Sequence, residues 1–184
     1  MSIDRIDAAL TTTGTVVAAL DPAKLDGPSP CPGWTLHTEL NHLVGGMRIF
    51  AAELTGTEPA GEHESDWLGA DPRRAWTEAA ALDRAAWHRP GALDGVVRLG
   101  FGPVPAGLAA LIHLTELVVH GADLAVATGH GHLLDEPMCE AMLATMREAG
   151  FDAFRRPGMF GPERPAPAGA PAHARLLAYT GRDL

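Results

Sequence analysis

The sequence predicts an all-α protein: a bundle of four or five helices with one long crossover and a C-terminal strap. Three observations carry this. Apolar residues recur at helical spacing in segment after segment. Proline and glycine cluster between those segments and punctuate them. The stretch from Leu108 to Ala127 is apolar on almost every side, the pattern of a helix buried inside a protein. At 184 residues the chain is long enough to bury a real core. Residues 1–154 are expected to form the helical bundle, and 155–184 an extended arm packing on it.

Ile3, Ile6, Ala9, Leu10, Val16, Val17 and Leu20 mark a first helix ending near Leu20, before Asp21-Pro22. A turn-rich connection over 21–34 closes on Cys31-Pro32-Gly33-Trp34, where Pro-Gly suits the centre of a type II turn and Trp34 lays a large apolar ring against the next element. Thr35 caps a second helix, about Leu36 to Leu54, with Leu40, Leu43, Val44, Met47, Phe50 and Ala51 on its apolar face and His42 at the edge. Gly45-Gly46 inside it costs about 1 kcal/mol per glycine. Close approach of a backbone or ligand explains keeping such a pair, and so does a simple kink.

Residues 55–70 are acidic and glycine-containing, as in a solvated loop. Asp71-Pro72 opens a helix to Trp87, with proline in the first turn. From Arg89 to Pro105 the alternation Val96, Val97, Leu99, Phe101 fits either a short strand or a flap over a pocket. The central helix runs from near Pro105 to Ala127 and gives way to His130-Gly131-His132, a linker whose two histidines lack a preorganised third ligand. Asp135 starts a helix from Pro137 to about Ala149, with Met138, Met142, Leu143 and Met146 turned inward as core filler. Phe151 to Phe154 adds a turn. Residues 155–172 read as a proline-rich extended arm, and Ala172 to Tyr179 as a short helix docking it back.

Charge and cysteine usage narrow the function classes. One lysine, Lys24, stands beside 13 arginines, and the net charge is −9, which excludes nucleic acid and anionic membrane as natural partners. Cys31 and Cys139 lie 108 positions apart, with no CxxC, so neither a disulfide framework nor a thiolate zinc site is expected. Acidic Asp4 and Asp7 stand where a signal peptide is basic, and no uninterrupted apolar run approaches the length of a membrane span. The expected protein is cytoplasmic.

The central helix carries the chemistry. At about 100° per residue, His113, Glu116, His120 and Asp123 share a stripe roughly 80° wide, on a helix otherwise apolar. That stripe therefore points inward, and a carboxylate there costs several kcal/mol unless it is paired or bound to a cation. Glu116 and His120, at i and i+4, can converge on one ion. A third ligand has to come from a facing helix, and His42 is the one buried-looking histidine on another long helix. Two histidines and a glutamate with open positions make a catalytic kind of zinc site. A cluster in which the four residues merely hydrogen bond to one another satisfies the same spacing.

A resemblance adds to this reading. Cys31-Pro32-Gly33-Trp34-Thr35, Asn41-His42-Leu43-Val44-Gly45-Gly46, the run Leu114 to Ala125 and the closing Leu176 to Arg182, in that order, resemble the metal-binding domain of the mycothiol-dependent maleylpyruvate isomerases, part of the DinB-like group. The resemblance implies a DinB-like four-helix bundle of up-down-down-up type. It also implies a divalent metal, most often zinc, with nickel among the others, on His42, Glu116 and His120, and mycothiol as cosubstrate. The isomerases carry a further sterol-carrier-like domain, so the resemblance is to the single-domain branch.

The leading expectation is a thiol-dependent transferase or isomerase acting on a small electrophile, as a monomer or homodimer. His113 and Asp123 would orient the ligands, Gly45, Gly46, Met47 and Phe50 would line the substrate side, and Arg48 and Arg98 are conceivable anion partners. The alternatives are a metal-dependent hydrolase that activates water and a non-catalytic metal-binding or dimerisation bundle.

Overall fold

Helix starts are set by side chains that close the first turn. Ser2, Thr35, Asp71 and Asp135 each accept a hydrogen bond from a backbone N–H two or three residues on. From them run α1 (Ile3–Ala19), α2 (Leu36–Thr55), α3 (Pro72–Trp87) and α5 (Glu136–Glu148). The central helix α4 (Ala106–Ala127) starts after Pro105 without a side-chain cap, and the short α6 (Ala172–Tyr179) starts after Pro171. These elements belong to a computed structural model that describes residues 2–155 and 159–184. Residues 156–158, near the start of the expected arm, lie outside the described residues.

The four long helices pack in a ring: α1 lies against α4 and α3, and α2 against α3 and α4. Ile6, Val16, Leu40, Val44, Met47, Ala79, Leu117 and Leu124 fill its interior. The α1–α4 seam is close because Gly121 has no side chain. A Cβ there would lie 2.4 Å from Thr13 Oγ1, which donates to the Leu117 carbonyl at 3.1 Å. By length and composition α4 could cross a membrane, but 78% of its most apolar window is buried, so in this fold it is the core helix.

The described residues form six α-helices, five where the bundle helices were expected and α6 where the short docking helix was expected. One expectation, the all-α class, is corrected. The segment after Arg89 contains an antiparallel hairpin, β1 (Val96–Leu99) with β2 (Gly102–Pro105), in register from Val96 opposite Pro105 to Leu99 opposite Gly102. The hairpin rests on α2 and α4 and buries Val97, while Phe101 at its tip is 64% exposed. The fold is therefore mostly helical, with a two-stranded sheet where strand and flap were both open.

α6 packs on α5 and α4. The chain before it is tied down by backbone bonds, Gly161 N–H to the Thr180 carbonyl and Arg164 N–H to the Ala178 carbonyl. Arg155 Nη1 also reaches the Gly161 and Tyr179 carbonyls. Gly161 and Gly181 pass so closely that a Cβ on Gly181 would lie 2.6 Å from Gly161 Cα.

Candidate functional site

α2 and α4 face each other at His42 and Glu116, residues 74 apart in sequence. Glu116 Oε2 accepts from His42 Nε2 at 2.8 Å and lies 3.2 Å from His120 Nε2. One potential ligand atom from each of the three lies within 4.8 Å of the other two. Behind His120, Nδ1 donates to Glu39 Oε1 at 2.7 Å. Glu39 Oε2 accepts from the Ser29 hydroxyl at 2.6 Å, and that hydroxyl accepts from the Cys31 N–H. The loop before α2 thus braces the helix carboxylate that braces the ring. Trp34 stacks on His120, with ring centroids 5.3 Å apart at 15°, and lies 4.9 Å from His42.

Glu39 was not among the residues expected at this site. The signal was present: with Leu36, Leu40 and Leu43 it lies on the apolar face of α2, and a carboxylate there needs a partner for the same reason as Glu116. His63 was missed too. Its ring lies 4.6 Å from that of His42, because Asn41 clamps the 55–70 loop through the Ser65 carbonyl and the Trp67 N–H.

His113 is not where the stripe placed it. It donates from Nε2 to Asp83 Oδ2 at 2.8 Å, Asp83 also accepts from Trp87 Nε1, and the ring packs on Phe50 and Trp87. It orients neither His120 nor Glu116. Two turns separate His113 from His120, about 10 Å along the helix, so His113 meets α3 while His120 meets α2. Asp123 Oδ2 does approach His120 Nδ1, at 3.5 Å, but its main partner is Arg182, which grips both carboxylate oxygens at 2.8–3.2 Å. Gly46, Met47 and Phe50 line a cavity beside Glu116. Gly45 does not: it makes room for Trp67, whose ring a Cβ would meet at 2.5 Å. Arg48 turns to Glu78, and the Arg98 side chain is exposed on the outer face of β1, so neither serves the site.

The electrostatics reflect burial and pairing. Burial alone would lower the His120 pKa, but hydrogen bonds to Asp123, Glu116 and Glu39 outweigh it and hold the ring well above its ordinary range. Burial would raise Glu116, but His120 and His42 hold it well below the carboxylate range. Burial pushes Glu39 up to about 7, against the pull of His120. Desolvation lowers His42 despite its bond to Glu116.

The donor set fits a divalent cation. Glu39 fixes the Nδ1 side of His120, leaving Nε2 to face His42 and Glu116, the carboxylate–histidine–metal pattern. A second buried group, Cys31, Glu39 and His120, also lies within ligating distance. There, burial raises the Cys31 thiol pKa, which favours the neutral thiol over the thiolate ligand. His42 and Glu116 form a wall between two cavities. One, of about 270 Å³, lies toward the hairpin. The other, of about 620 Å³, lies toward Trp34 and His120, and its far side includes Arg155, Phe160 and Arg182.

A mostly helical fold with two histidines and a glutamate converging from facing helices defines a protein class, a helical scaffold with a candidate cation centre between its helices. The sequence pattern described as "Mycothiol maleylpyruvate isomerase N-terminal domain" matches residues 6–125, and the chain belongs to that family. The matched span contains His42, Glu116 and His120. The chain is 32% identical over 163 residues to the uncharacterized protein Rv0738 of Mycobacterium tuberculosis, and equally to the uncharacterized protein MT0763 of a second strain, covering 88% of this chain and 86% of each relative. Among solved structures it is similar to the mycothiol-dependent maleylpyruvate isomerase, with a TM-score of 0.58 at 18% identity over 78% of this chain and 65% of the other. A mutant of that isomerase matches with a TM-score of 0.53 at 18% identity, over 66% of this chain and 58% of the other. The chain thus spans less than two thirds of the isomerase chains it resembles.

Proposed function

We propose that this chain is a metal-dependent enzyme that uses a mycothiol-type thiol to transfer to, or isomerise, a small electrophile in the cytoplasm, as a monomer or homodimer. His42, Glu116 and His120 are the proposed ligands, zinc the proposed ion, and the ring of long helices the proposed counterpart of the up-down-down-up DinB-like bundle. Residues 1–154 form the proposed metal-binding unit and 155–184 its arm. One observation carries this reading: His42 Nε2, Glu116 Oε2 and His120 Nε2 converge while Glu39 occupies the back of His120.

A divalent cation bound there supplies Lewis acidity that lowers the pKa of a thiol brought to it. The chain does the rest. Glu39 holds His120 in the tautomer that presents Nε2, and the stacked Trp34 ring limits its rotation. The larger, more polar cavity receives the thiol; the smaller receives the electrophile. The reading is tested by thiol-dependent turnover of zinc-loaded protein. Turnover that needs both zinc and mycothiol supports it, and electrophile consumption at the same rate without the thiol overturns it.

The wiring of His120 sets two expected results. Glu39→Gln should weaken zinc affinity about 10- to 100-fold, the usual cost of losing such a partner, as read by competition with a chromogenic chelator. Unchanged affinity would make Glu39 a core group only. Because the hydrogen bonds around His120 raise its pKa, a proton held there has to leave when zinc binds Nε2, and affinity should rise with pH until the raised pKa is passed. Titration calorimetry in buffers of different ionisation enthalpy counts that proton.

A further inference from the structure

The smaller cavity has walls that specify a ligand class. Leu43, Met47, Phe50 and Ile112 contribute apolar side chains from α2 and α4, and Leu99 and Phe101 close over them from the hairpin. Among the described residues that line it there is no lysine or arginine, and the one acid is Glu116. Its volume, about 270 Å³, is at the small end for ligand pockets. Gly46, one turn after His42, opens into it: a Cβ there would meet nothing within 4 Å. A glycine inside a helix is destabilising unless the missing side chain serves a purpose, and here the space it leaves belongs to the cavity.

We propose that this cavity binds an uncharged, largely apolar small electrophile, and not a dicarboxylate. The proposal rests on the functional reading above, since it places the substrate against Glu116 and His42. An anionic substrate could set one carboxylate against a bound cation. Its second carboxylate would then lie among Met47, Phe50 and Ile112, where no lysine or arginine meets it; of the other lining histidines, His113 has its Nε2 bonded to Asp83 and His63 is exposed at the edge, and a buried charge without a close partner is strongly disfavoured. An ester, ketone or similar neutral group has no such penalty, and its apolar body gains from burial against these side chains. Phe101, exposed at the mouth, is placed to cover a ligand's outer face.

The test compares methyl benzoate with benzoate, which share a ring and differ in charge, by ligand-observed NMR titration of the full chain, both zinc-loaded and after chelation. In the zinc-free protein the ester should bind at least tenfold tighter than the acid. Gly46→Leu, whose Cβ would meet nothing within 4 Å and whose side chain would occupy the cavity, should weaken ester binding at least tenfold while leaving zinc stoichiometry unchanged. Phe101→Ala, at an exposed position that the fold does not need, should weaken it several-fold. Benzoate binding as tightly as the ester in zinc-free protein overturns the proposal, as does full ester affinity in Gly46→Leu and Phe101→Ala. Zinc stoichiometry is read separately. Absence of zinc binding with the ester preference intact therefore removes the metal reading alone, and loss of the preference in chelated protein that binds zinc normally when loaded removes this one alone.

Discussion

His120→Ala is expected to reduce zinc affinity more than about 100-fold, beyond the 10- to 100-fold that loss of an outer partner costs, because it removes a ligand outright. Equilibrium dialysis against a competing chelator reads the change, and full occupancy in the variant would remove His120 from the centre. The variant also strips Glu39, which is fully buried, of its main partner, leaving the Ser29 hydroxyl. Circular dichroism should therefore accompany the measurement. His120→Asn, which keeps a polar group facing Glu39, should retain the fold and still lose the ion. A loss of affinity confined to unfolded preparations would mean that the ring is structural.

Arg182→Met should produce the largest loss of stability. Arg182 is 2% exposed and bonds both oxygens of Asp123, which is fully buried. Removing one member of such a pair leaves a buried charge uncompensated, at a cost of about 3–5 kcal/mol. Replacing both, as in Asp123→Leu with Arg182→Met, should recover much of that loss. Urea denaturation measures both, and a single variant within about 0.5 kcal/mol of wild type would show the pair to be dispensable. The pair also predicts a pH dependence. Burial raises the Asp123 pKa, but His120 and Arg182 outweigh it and hold it below its ordinary value. Its contribution is therefore complete above the ordinary aspartate pKa and is lost as pH falls through the lowered one. Wild type should lose this increment on acidification below about pH 4, and Arg182→Met should lose less.

Sequence legibility depended on whether local spacing decided the outcome. Thr35, Asp71 and Asp135 announced their helices because a cap acts within three residues, and α3 has the expected bounds, Pro72–Trp87. Glu116 and His120 stood out because polar groups on an all-apolar helix have nowhere wet to go. Glu39 did not, because α2 carries other polar residues and its carboxylate looked like one more. His113 shares the angular stripe but sits two turns away along the axis, so angle alone placed it beside the wrong helix. Arg182 lies 59 residues after Asp123, beyond the last helix, and only the return of the C-terminal segment onto α4 brings the two together. Gly45 and Gly46 looked equivalent, yet a rotation of about 100° points one at Trp67 and the other into open space. The hairpin was ambiguous because four-residue strands leave little periodicity to read.

In the proposed centre the ion sits among His42, Glu116 and His120, and not in the neighbouring group of Cys31, Glu39 and His120. X-ray absorption at the zinc edge of the zinc-loaded protein separates the two. The expected result is a coordination sphere of nitrogen and oxygen alone at about 2.0–2.2 Å, with imidazole scattering from two histidines. A sulfur neighbour at about 2.3 Å would put the ion on Cys31 and contradict the proposed centre.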